Sequence, residues 1–183
     1  MTTALLLIDI QNDYFPGGRM ALVGPDAAAH QAAALLAHFR ATRQPVVHVR
    51  HVADRPGATF FLPDTDGALI HRSVEPAPGE VVIVKHHPNA FLHTTLDAIL
   101  ASMGVNAVVV AGMMTHMCVD STTRAASEHG LDCVVAADAC ATRDQSFDGV
   151  RVSADLVHAA FLAALHGTFA TVEPTSHVLE RLG

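Results

Sequence analysis

Positive charge is scarce in this chain. Eleven lysines and arginines stand against 18 aspartates and glutamates, the formal net charge is −7, and the basic residues are scattered singly. A phosphate backbone needs a basic stripe to bind, so nucleic acid is not an expected partner. Cysteine is sparse too: there are three, an odd number, and the opening Met1-Thr2-Thr3 carries no basic segment of a secretory signal. A disulfide framework is therefore not expected, and a reducing compartment, the cytoplasm, is. Long hydrophobic runs are missing. The longest, Val105 to Met114 broken by Asn106, is about half of what a membrane span requires, so no membrane partner is expected. No short fixed-period repeat occurs, which excludes a solenoid.

What is present is apolar: 50% of residues are hydrophobic and 16% charged, with a mean hydropathy of +0.32. At 183 residues the chain builds one substantial core, and the expectation is a single domain over 1–183. Ala4-Leu5-Leu6-Leu7-Ile8 is an unbroken apolar run without alternation, the mark of a strand buried on both faces of a parallel sheet. Val46 to Arg50, Val81 to Val84, Ala107 to Ala111, Leu131 to Ala137 and Phe169 to Val172 read as five more strands. Helices are expected between them: one opening at Gly24-Pro25-Asp26 and running to Thr42, one from Thr94-Thr95 to Met103-Gly104, one from Cys118 to His129-Gly130, and one from about Val152 to His166. Strands alternating with helices predict an α/β fold with right-handed crossovers.

Three strands end in a reactive side chain. Asp9 follows the first, Lys85 the third, and Cys118 the strand Ala107 to Ala111 after a short turn. The carboxyl ends of parallel strands face one side, where open α/β folds build their crevices. Cys118, at the start of a helix, is the candidate nucleophile, with a thiol pKa lowered by the helix dipole and by Lys85. Asp9 can take its proton, and backbone N–H groups can hold a tetrahedral oxyanion. Taken singly, Asp9 is equally a turn residue, Lys85 a solvated strand end, and Cys118 a small buried hydrophobe. The segment from His51 to Glu80 has little periodicity and contains Pro56, Pro63, Pro76 and Pro78. Loops of this length line binding sites, so Phe60 and Phe61 are candidate pocket residues, or else pins that hold the loop to the core. Phe15 and His116 are the other candidates for the pocket, and most of the 13 histidines are expected to be structural or at the surface.

The segments Leu7-Ile8-Asp9-Ile10-Gln11-Asn12-Asp13, the strand-end Lys85 and Gly112-Met113-Met114-Thr115-His116-Met117-Cys118-Val119 together resemble the isochorismatase-like cysteine hydrolases. His51 to Gly57 and Asp138 to Thr142 agree as well, so the likeness covers nearly the whole chain. The resemblance implies a Rossmann-like three-layer α/β/α sandwich around a mainly parallel six-stranded sheet. It implies that Asp9, Lys85 and Cys118 form the catalytic triad, that a cis peptide joins Met113 and Met114, and that the N–H groups of Met114 and Cys118 form the oxyanion hole. It also implies a homodimer or homotetramer.

The activity expected from that resemblance is cleavage of an amide-type C–N bond in a small carbonyl compound through a thioester. Vinyl-ether hydrolysis of the isochorismatase type and a non-catalytic binding module on the same fold are the alternatives. Relatives similar to nicotinamidases hold a divalent metal through an Asp-x-His pair, which is absent from His48-Val49-Arg50-His51 and the residues after it. No metal and no cofactor are therefore expected, His48, His51 and His71 being the set that would supply a nitrogen-ligand site.

Overall fold

The apolar runs Ala4 to Ile8 and Val108 to Ala111, which show no alternation, fold here as the middle strands of a sheet covered on both faces, whereas Val81 to Val84 forms an edge strand with Val82 and Val84 exposed. The computed structural model describes residues 2–183. Six parallel strands run in the order β3-β2-β1-β4-β5-β8. They are β1 (Thr3–Ile8), β2 (Val46–His51), β3 (Val81–Lys85), β4 (Ala107–Met113), β5 (Asp132–Ala141) and β8 (Thr171–Glu173). Ala4 to Ile8 and Val108 to Ala111 are at most 2% exposed, at the centre of the sheet. Each Leu, Ile or Val so placed contributes roughly 1.5–3 kcal/mol relative to exposure.

The two faces bury different stripes of β1. Leu5 and Leu7 pack with Leu35, Leu36 and Phe39 of α1 (Pro25–Ala41) and with Val178 of α5 (Thr175–Leu182). Ala4, Leu6 and Ile8 pack with α2 (Leu96–Ser102), α3 (Asp120–Glu128) and α4 (Ala154–Leu165), through Leu96, Leu100, Ala126, Leu162 and Leu165. This is the three-layer α/β/α sandwich that the resemblance implies. Among the described residues, no helix is long and apolar enough to cross a membrane.

Three features differ from the sequence reading. β5 does not end at Asp138 but continues to Ala141, pairing Gly112 with Cys140 across a register shift in β4. Asp138 stays within the strand because its carboxylate has a partner there: Oδ1 accepts from the N–H and the hydroxyl of Thr175, both at 2.7 Å, at the start of α5. A hairpin, β6 (Gln145–Phe147) with β7 (Val150–Val152), precedes α4. Its turn is Asp148-Gly149, both at positive φ, a dipeptide suited to a two-residue hairpin turn. α5 itself is short and begins after Pro174.

The order of the strands reverses direction between β1 and β4. β2 and β3 extend the sheet on one side of β1, and β4, β5 and β8 extend it on the other. A crevice outside the carboxyl ends of β1 and β4 follows from that reversal.

Candidate active site

Lys85, the last residue of β3, crosses that crevice with all three of its ammonium protons engaged. Nζ lies 2.6 Å from Asp9 Oδ2, 3.3 Å from Cys118 Sγ and 3.2 Å from His51 Nδ1. Asp9 and Lys85 are fully buried and Cys118 is 5% exposed. Asp9 comes directly after β1 with φ 49, which turns its carboxylate under the ends of the strands. His51 ends β2 and sits beside Lys85 in strand register. The structure thus brings Asp9, Lys85 and Cys118 together, and adds His51, which the sequence reading did not place with them.

Cys118 reaches this point through an unusual turn. β4 ends at Met113, the peptide joining Met113 and Met114 is cis, and Thr115–Val119 form a π-helical turn that leads into α3. The wide turn is closed by Val119 N–H donating to the Met114 carbonyl at 3.2 Å. Gly112, at φ 143, lets β4 pass close to β1, since a Cβ there would meet the Ile8 carbonyl oxygen. The nucleophile candidate therefore lies in the turn ahead of the α-helix, not at its first residue.

Electrostatics follow from burial. Burial opposes the charge on Lys85, but the Asp9 carboxylate beside it holds the ammonium above its ordinary pKa. Burial pushes the Cys118 thiol up, Asp9 adds to that, and Lys85 only partly offsets it. The expected lowering of the thiol pKa is thus corrected. Asp9 and Lys85 already neutralise each other, so a thiolate would be an extra buried charge. The resting group is the thiol. His51 is lowered to about 4, by burial and then by Lys85, and its ring is neutral.

The loop from His51 to Glu80 closes over the site by hydrogen bonds to the first loop. Gln11, fully buried, grips His51 from both sides: its Oε1 accepts from His51 N–H at 2.7 Å and its Nε2 donates to the His51 carbonyl at 2.9 Å. Nε2 also donates to the Ala68 carbonyl at 2.9 Å. Asp13 Oδ2 accepts from Phe61 N–H at 2.6 Å, and Oδ1 from Arg19 N–H at 3.1 Å.

A cavity of about 510 Å³ opens above Cys118. Phe60 and Phe61 line it, together with Tyr14, Met114, Met117, and the charged Asp54, Arg55 and Arg143. Phe15 and His116 are not among its lining residues. Phe15 stacks on His71 at 3.7 Å between ring centroids, and His116 Nδ1 is held 2.5 Å from Thr142 Oγ1. The sequence reading missed Tyr14 and Arg143. Tyr14 lies two residues beyond Gln11-Asn12 and Arg143 two residues past the end of β5, so strand-end placement was the signal available for both.

His48, His51 and His71 do not converge. His48 Nε2 pairs with Glu80 Oε2 at 2.9 Å and His71 Nδ1 with Ser73 Oγ at 2.8 Å. Ligand atoms of Asp9, His51 and Cys118 do lie within 4.8 Å of one another. The Lys85 ammonium, however, already supplies positive charge to all three, so these residues do not suit a metal cation.

The model of the isochorismatase domain matches residues 3–176. The chain is similar to the isochorismatase family protein YddQ of Bacillus subtilis, 54% identical over 180 residues, covering 98% of this chain and all of that one. A crystal structure from Oleispira antarctica superposes with a TM-score of 0.95 at 50% identity, over 98% of this chain and 96% of the other. Maleamate amidohydrolase of Pseudomonas putida is 34% identical over 146 residues, 72% of this chain and 68% of its own. With the isochorismatase domain matching residues 3–176 and relatives similar over nearly its whole length, the chain belongs to the isochorismatase family of hydrolases.

Proposed function

We propose that the chain is a cysteine amidohydrolase acting on a small amide that carries an anionic group. The observation that supports this most is the Lys85 ammonium bonded at once to the Asp9 carboxylate and the Cys118 sulfur at the floor of a cavity. Lys85 donates to Sγ, so the thiol proton is directed elsewhere, and Asp9 Oδ1 is a buried oxygen without a hydrogen-bond partner. Asp9 is the base. As Sγ attacks the amide carbon, the thiol proton passes to Asp9, and Lys85 stabilises the negative charge on sulfur while it exists.

The N–H groups of Met114 and Cys118 receive the oxyanion of the tetrahedral intermediate. Asp9 then gives its proton to the departing nitrogen, ammonia or an amine leaves, and a thioester remains on Cys118. Water attacks that thioester and Asp9 accepts its proton; the C–S bond then breaks, the carboxylic acid product leaves, and Asp9 returns the proton to the sulfur. Arg55 and Arg143 at the cavity wall favour a substrate with a carboxylate. The likeness to maleamate amidohydrolase, named for an amide of that kind, supports the same choice.

The test is product analysis on a panel of small acid amides and ureides. Ammonia release by the wild type and its loss in Cys118→Ala are expected. Release of pyruvate from isochorismate, retained in Cys118→Ala, would replace this reading with vinyl-ether hydrolysis.

A further inference from the structure

We propose that His51 is a substrate-orienting hydrogen-bond donor, its Nε2–H held toward the cavity to bond an acceptor oxygen that flanks the scissile amide. This rests on the amidohydrolase reading and deepens it by naming what the substrate must carry next to the bond that breaks. The tautomer follows from the partner. An ammonium has donors and no acceptor, so the His51 Nδ1 that sits 3.2 Å from Lys85 Nζ accepts, and the ring proton is on Nε2. Nε2 has no hydrogen-bond partner among the described residues, yet it is not among the buried polar atoms left unpaired. His51 lines the cavity beside Cys118, so that cavity is where the donor is open.

The ring is held through Nδ1 and through its backbone. Gln11 holds the His51 backbone by two hydrogen bonds, and Phe61 lies 5.9 Å from its ring centroid. The charged groups that act on it are Lys85 and His86, which disfavour protonation, and Asp9 and Asp54, which favour it; burial and Lys85 dominate. A neutral donor of fixed direction complements an oxygen acceptor and leaves an apolar substituent unrewarded. The substrate class is thus an amide with a second carbonyl or carboxylate close to the first, such as a dicarboxylic monoamide or a ureide.

Two variants separate orientation from structure. His51→Asn keeps an oxygen where Nδ1 accepts from Lys85 and removes the donor from the cavity; His51→Gln places an amide N–H near the position of Nε2. With succinamate as substrate, His51→Asn is expected to lower kcat/KM about ten- to a hundredfold, and His51→Gln to recover part of it. With butyramide, which lacks the second acceptor, the loss is expected to be smaller, so the preference for succinamate over butyramide falls about tenfold or more in His51→Asn. Equal losses on both amides, or none on succinamate, would overturn the proposal.

A second readout needs no turnover. In protein labelled with 15N at histidine, Nε2 of His51 should carry the proton throughout pH 6 to 8, and its signal should move on adding succinate. A proton on Nδ1, or a signal indifferent to succinate, would also overturn it. Failure of the wild type to hydrolyse either amide would instead count against the amidohydrolase reading, and the 15N signal would still decide this one.

Discussion

Lys85 Nζ lies 2.6 Å from Asp9 Oδ2, although the strands that carry them are not neighbours: β2 runs between β1 and β3. The lysine side chain spans that strand beneath the loop, and both partners are fully buried. A pair of this kind ties chemistry to stability, because neither charge has water to fall back on.

Removing one partner is therefore costly. Lys85→Met leaves the Asp9 carboxylate buried without its cation and is expected to destabilise the fold by about 3–5 kcal/mol. Adding Asp9→Asn to that variant removes the orphaned charge and is expected to restore a large part of the loss. Urea unfolding of the two single variants and the double variant measures the coupling; additive losses would mean that the two groups do not interact.

The thiol makes a prediction opposite to the one that a helix start suggests. Burial and Asp9 raise its pKa, so iodoacetamide should label Cys118 slowly at pH 7, with a rate that climbs through pH 8.5, about where a free thiol is half ionised. Cys133 and Cys140 are each pushed up to about 12, chiefly by burial, and should be slow as well. A labelling rate for Cys118 that levels off below pH 7 would show a stable resting thiolate and contradict this.

Acid should loosen the site from its histidines. His51 falls from an ordinary 6.5 to about 4, and His48 is also lowered, first by burial, so in both cases the unfolded chain takes up the proton sooner. Their contribution is fully present above about pH 6.5 and is lost as pH falls toward 4. The urea midpoint should decline across that window, and less steeply in His51→Gln. A midpoint that rises on acidification there would contradict the assignment.

Gln11 is the hinge between the first loop and the His51 strand end. Gln11→Glu keeps an acceptor for His51 N–H but sets a carboxylate oxygen against the carbonyls of His51 and Ala68, which now receive its Nε2. A loss of roughly 2–4 kcal/mol is expected from two donors removed and a buried charge introduced. Thermal melting checks it; an unchanged melting temperature would mean that the grip on His51 is dispensable.

The strands were legible because burial on both faces leaves no polar alternation: Ala4 to Ile8 and Val108 to Ala111 could hardly be anything else. Asp9, Lys85 and Cys118 were legible because each follows an apolar run, although β3, at the sheet edge, leaves Val82 and Val84 exposed and is not the buried strand expected there. The extension of β5 was not, since Asp138 looks like a strand end until the Thr175 groups that satisfy its carboxylate are seen. The lowered thiol pKa was misjudged for a similar reason. The sequence displays the helix and the lysine, whereas the depth of Cys118 and the prior pairing of Lys85 with Asp9 are products of packing. Phe15 and His116 have the right residue types, but a stacked His71 and the Thr142 hydroxyl hold them outside the cavity lining.

The most direct measurement is intact-protein mass spectrometry on enzyme acid-quenched during turnover of an acid amide. A mass increase equal to the acyl group is expected, located by peptide mapping on Cys118 and absent in Cys118→Ser. Ammonia released by wild type and Cys118→Ser at equal rates, with no adduct on the sulfur, would contradict it.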